Sequence, residues 1–138
     1  ANEVVEWTES NDMHLNPPKT KELLVSFMKT QPQDMIPPIV MGDTEISKSD
    51  SVKLLGLFIS NDLTWSVHVH SIVKKANQRI YFLIQLKRCK APVPHLVETF
   101  KVLIRSLVEY ACHAYLPGLT KELTQCIESV QKRALRII

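Results

Sequence analysis

Lys74, Lys75, Gln78 and Arg79 recur at spacings that place side chains on one arc of a helix, and Lys87, Arg88 and Lys90 extend the arc toward the helix C-terminal end. A row of ammonium and guanidinium groups can pair with successive phosphates of a nucleic acid without reading its bases. The plainer alternative is a solvated face whose last cations complement the helix dipole. Lys132, Arg133 and Arg136 form a second cluster of the same kind. Other chemistry finds less support. Cys89, Cys112 and Cys126 show no CxxC spacing and imply neither a disulfide framework nor a zinc site. His68-Val69-His70 has no cysteine or carboxylate at ligand spacing, so no metal site is expected. Asp12, Asp34, Asp43, Asp50 and Asp62 stand singly, mostly in turn-like settings that favour Asp for structural reasons.

The charge balance sharpens the first observation. Residues 1–50 carry four lysines against nine carboxylates, a net of −5, whereas residues 51–138 carry thirteen Lys/Arg against five, a net of +8. Such asymmetry points to a polyanionic partner for the second half. The composition is that of an ordinary globular chain, with 45% hydrophobic and 22% charged residues, which argues against wholesale disorder. No apolar run is long enough to span a membrane, and the acidic start has no apolar signal region, so an intracellular protein is expected.

The elements that must position these residues divide near residue 65. Val4, Val5 and Trp7 before Asn11-Asp12 suggest the tail of a helix, and Pro17-Pro18 enforce an extended turn. Glu22 to Phe27 alternates as a strand, with Leu23, Val25 and Phe27 on one face. Ile39-Val40-Met41 and Thr44-Glu45-Ile46 flank Gly42-Asp43, a two-residue hairpin turn. Val52 to Ile59 is the strongest strand signal, with Gly56 marking a bend or a close backbone approach. From Ser66 the period becomes helical. Val69, Val73, Ala76, Ile80 and Leu83 form one stripe; Leu96, Phe100, Leu103, Leu107 and Tyr110 a second; Leu123, Ile127, Val130, Ala134 and Ile137 a third, with Thr120 as its N-cap. Three amphipathic helices with short links should pack as a bundle. Both chain ends have the look of cuts.

Trp7 with Asn11-Asp12-Met13-His14-Leu15-Asn16-Pro17-Pro18-Lys19-Thr20-Lys21 resembles the segment that follows the catalytic motif in LINE-type (non-LTR) retrotransposon reverse transcriptases. Leu54-Leu55-Gly56-Leu57-Phe58 through Trp65 is similar to the primer grip of that family. His68-Val69, Lys74-Lys75-Ala76, Arg79-Ile80-Tyr81-Phe82-Leu83, Arg105 to Ala111, Pro117-Gly118-Leu119-Thr120 and Val130 to Ile138 resemble its thumb.

The resemblance implies an α+β fold: residues 1–65 a remnant of the palm with a partial antiparallel sheet, residues 66–138 a three-helix thumb bundle. It implies the C-terminal fragment of an RNA-directed DNA polymerase, gripping an RNA/DNA primer–template duplex and completed by the missing upstream palm and fingers. In the intact enzyme Lys19 would approach the triphosphate, and Leu55 and Gly56 would position the primer end. Lys74, Lys75, Gln78, Arg79, Lys87 and Arg88 would lie along the duplex. The family's metal-binding aspartates would lie upstream, so no catalytic residue and no cofactor is expected in this chain, Mg²⁺ belonging to the intact polymerase alone. The chain by itself is expected to be inactive, in the cytoplasm, the nucleus or both. The alternatives are a non-catalytic nucleic-acid-binding or interaction protein derived from a retroelement, or a relic without selected function. The leading region of an AlkB-like tRNA-modifying protein is a further comparison, set aside because no H-x-D iron motif or glycine-rich nucleotide loop is present.

Overall fold

The computed structural model describes residues 2–27 and 37–138; Lys29 and Asp34 of the sequence reading lie outside the described residues. The fold mixes helices with small sheets, in two compact units covering 1–63 and 64–138.

In the first unit α1 (Asn2–Ser10) ends where Thr8 returns its hydroxyl to Val5 O at 2.8 Å and Asp12 turns to φ +53°. Pro17–Lys19 forms a 3-10 turn capped by the Asn16 side chain, which accepts from Lys19 N at 3.2 Å. β1 (Lys21–Glu22) pairs in parallel with β4 (Ser47–Lys48), and β2 (Val40–Met41) pairs antiparallel with β3 (Thr44–Glu45) across Gly42-Asp43, the hairpin expected there. Gly42 takes φ +61°, the left-handed conformation such a turn demands.

Two strand expectations are corrected. Regular pairing stops at Glu22, and Phe27 is 85% exposed, so Glu22 to Phe27 is not a strand with a buried face. Val52 to Ile59 is not one strand but a hairpin: β5 (Ser51–Leu54) returns antiparallel as β6 (Leu57–Ser60) across Leu55 (φ +47°) and Gly56 (φ +88°). Two successive positive φ values give the primed turn whose twist matches the strands. The expected partial antiparallel sheet is therefore three separate two-stranded pairs among the described residues, one of them parallel. Ile46 is the buried hydrophobic side chain of this unit among the described residues, so its core is thin.

The second unit has a fuller interior. α2 (Ser66–Arg88) buries Val69, Ile72, Ala76, Ile80 and Leu83, and α6 (Lys121–Ile137) buries Ile127, Val130 and Ala134 against it. Both helices obey the stripes read from the sequence. Thr120 caps α6, accepting from Leu123 N at 3.4 Å. Lys90 at φ +57° closes α2, and Pro92 and Pro94 begin α3 (Val93–Thr99).

The second stripe is corrected. After α3 the chain widens into a π-helix, Phe100–Arg105, before α4 (Ser106–Glu109). A π turn holds more residues than an α turn, so each later residue is rotated back. The buried positions are Leu96, Ile104 and Val108; Leu103 and Leu107 are half-buried and Tyr110 is exposed. Ala111 at φ +51° then redirects the chain into α5 (Cys112–Tyr115), whose buried Tyr115 donates its hydroxyl to Val108 O. The Tyr115 ring meets His68 at 5.0 Å and Trp65 at 6.2 Å between ring centroids, which ties this corner to the start of α2.

Candidate nucleic-acid interface

α2 places the basic residues. Its 23 residues include Lys74, Lys75, Arg79, Lys87 and Arg88 and no carboxylate. The apolar stripe faces α6, so Lys74, Lys75, Gln78, Lys87 and Arg88 are all solvent-exposed. An ammonium there can meet a phosphate while its stem rests on the helix.

Two of the expected contacts have internal partners. Arg79 is half-buried and its Nη1 donates to Leu103 O of the π-helix at 2.6 Å. That bond joins α2 to the segment packed beside it, and makes Arg79 a tie before it is anything else. Lys87 Nζ donates to Ile138 O at 2.9 Å. The second cluster is also partly engaged, because Lys132 pairs with Glu128 at 2.8 Å.

Lys19 is exposed at the end of its 3-10 turn, with its backbone N–H taken by Asn16. Leu55 and Gly56 form the exposed tip of the β5–β6 hairpin, Leu55 being 82% exposed. These three belong to the first unit and the α2 cations to the second.

Two residues that sequence reasoning passed over lie on the same α2 face. Tyr81 and Phe82 are 59% and 56% exposed, their rings edge to face at 6.1 Å between centroids. The signal was available: with Ile80 and Leu83 filling the buried stripe, the intervening pair must point away from it.

An open groove of about 540 Å³ lies between the α4–α5 turn and α6, lined by Val108, Cys112, Leu116 and Ile127 together with Glu109 and Glu128. Its carboxylates disfavour a phosphate. Among the described residues no group of His, Cys, Asp and Glu is arranged to hold a metal ion, and no helix is long and apolar enough to cross a membrane.

Residues 65–103 match the family model of the N-terminal region of alkylated DNA repair protein alkB homolog 8. The match covers less than a third of the chain, from Trp65 through α2 and α3 into the π-helix. No curated protein and no solved structure matches the chain. The matched model is not a reverse transcriptase, and it lies on the helix that the resemblance assigned to a polymerase thumb. The resemblance to LINE-type retrotransposon enzymes is corrected accordingly. The names palm, primer grip and thumb go with it, and the roles of Lys19, Leu55 and Gly56 that it alone implied lose their warrant. The physical reason is that blocks such as Lys-Lys-Ala and Arg-Ile-Tyr-Phe-Leu satisfy the needs of any basic amphipathic helix. The comparison set aside on the sequence is the one that the match favours. Its lack of an iron motif does not weigh against a match confined to an N-terminal region.

Proposed function

We propose that residues 64–138 are a non-catalytic nucleic-acid-binding module whose contact surface is the exposed face of α2. The carrying observation is that α2 has five Lys/Arg and no carboxylate while its apolar side is already occupied. Lys74 and Lys75 bind phosphates, Gln78 adds an amide beside them, and Arg88 extends the contact toward the helix end, where a cation is also favoured by the dipole. Arg79 and Lys87 hold neighbouring backbone and contribute field rather than direct contact.

In this reading α2, the α3–π–α4 segment and α6 act as one three-helix bundle that keeps the basic face straight. The partner is RNA or DNA, met in the cytoplasm or the nucleus. The matched family is named for a DNA repair protein, which describes that protein; the proposal rests on the helix.

A salt titration of oligonucleotide binding, followed by fluorescence anisotropy, tests it. Several phosphate contacts make log affinity fall steeply with log salt, and each contact removed lowers the slope by about 0.9 on a duplex or about 0.7 on a single strand. Lys74→Ala and Lys75→Ala should each flatten it. A response that is absent or flat in the unsubstituted protein refutes the proposal.

A further inference from the structure

α2 needs no more apolar surface for its own packing. Val69, Ile72, Ala76, Ile80 and Leu83 fill its buried side, yet Tyr81 and Phe82 hold two rings more than half in solvent. They stand one to two turns beyond Lys74, Lys75 and Gln78, so rings and cations share one strip about 10 Å long from Lys74 to Tyr81. The two rings are tilted 72° to each other, so no flat ligand fits between them, and each offers an outward face.

From this juxtaposition we infer that the α2 face takes unpaired nucleotides in preference to duplex, Tyr81 and Phe82 stacking on bases while Lys74 and Lys75 hold the adjoining phosphates. The inference rests on the nucleic-acid reading above and narrows it. In a duplex each base face is covered by its neighbours, so an exposed ring gains little there; in a single strand every base presents a π-face. The rings give affinity without sequence choice, and the cations supply the salt-dependent part.

Charge complementarity decides against an apolar protein helix as the occupant. A strip with cations interleaved among its rings and no carboxylate on the same helix suits a ligand that alternates flat apolar groups with anions. A single strand has that pattern.

The test uses the full chain and three labelled probes of equal length: oligothymidylate, the same strand without bases, and a duplex. The expected result is oligothymidylate bound about ten-fold or more tightly than the other two, the size of a base–aromatic stack. Tyr81→Ser/Phe82→Ser should bring oligothymidylate down to the abasic level and leave abasic binding unchanged. Tyr81→Leu/Phe82→Leu, which keeps apolar bulk without a π-face, should do the same. Lys74→Ala/Lys75→Ala should weaken all three probes together. Equal affinity for the three probes, or ring variants that weaken all three alike, overturns the stacking inference and leaves nucleic-acid binding standing. Failure to bind any probe at low salt overturns both.

Discussion

Arg79 separates a structural tie from a phosphate ligand, and one substitution decides between them. Its Nη1 bond to Leu103 O crosses from α2 to the π-helix at 2.6 Å in a half-buried setting. Hydrogen bonds involving a charged group contribute about 1.5–3 kcal/mol when shielded. Partial exposure screens the charge, which brings the expected value to about 1 kcal/mol. Arg79→Met keeps most of the aliphatic stem, so the packing loss is small. For a domain of this size, 1 kcal/mol corresponds to about 4–8 °C in Tm. Thermal melts followed by far-UV circular dichroism should therefore show a fall of that order, while the salt slope for oligonucleotide binding stays as in the parent. Lys74→Ala should do the reverse, flattening the slope with Tm unchanged. An Arg79→Met variant with parental Tm and a reduced slope would refute the tie and return Arg79 to the phosphate-binding set.

Three other outcomes follow from the geometry. Burial lowers the pKa of His68 below its usual 6.5, with the Lys75 ammonium adding to the effect, so the unfolded chain takes up the proton first. Stability is then full above about pH 6.5 and falls as pH drops toward the lowered folded value; Tm measured on either side of that window should decline on acidification, and His68→Phe should flatten the decline. Gly118→Ala would set its Cβ 2.9 Å from Trp65 Nε1 and 3.1 Å from Cδ1, forcing the indole to move. A cost of about 1–3 kcal/mol is expected in a urea melt, with a shifted Trp65 emission in a Trp7→Phe background, and an unshifted spectrum would count against the contact. Leu55 holds φ +47° while 82% exposed, so Leu55→Asn relieves strain without emptying a core. Amide exchange across β5 and β6 should slow by an amount equivalent to about 1 kcal/mol, and unchanged exchange would show the turn is not strained.

The helices were legible where local period alone decides them. Val69, Ala76, Ile80 and Leu83 in α2, and Ile127, Val130 and Ala134 in α6, are buried as their spacing requires. The middle helix was not, because a period of 3.6 carries no sign of the extra residue that the π-helix accommodates, and it assigned Leu103 and Leu107 the places that Ile104 and Val108 hold. The β5–β6 turn escaped notice for a different reason: apolar leucines on both sides of Gly56 look like one strand, and a leucine at positive φ is disfavoured by the rule one reads with. At the candidate interface the cations could be placed on a helix face from spacing. The inward course of Arg79 could not, since its partner carbonyl is 24 residues away in sequence. The family resemblance failed where it leaned on short blocks that basic helices share.

The π-helix at Phe100–Arg105 also makes chain length a variable in its own right. It holds one residue more than an α-helix would use to cover the same rise, and Val102 within it is 58% exposed. Loss of one residue there would let the segment close into continuous α-helix and return Leu103 and Leu107 to the packed side in place of Ile104 and Val108. Both sets are large aliphatics, so either phase can fill the space. A single-codon deletion, ruinous in most helices, becomes at this point an exchange of one hydrophobic register for another. Its strain would fall on the Leu103 carbonyl that Arg79 holds and on the Val108 carbonyl that receives the Tyr115 hydroxyl.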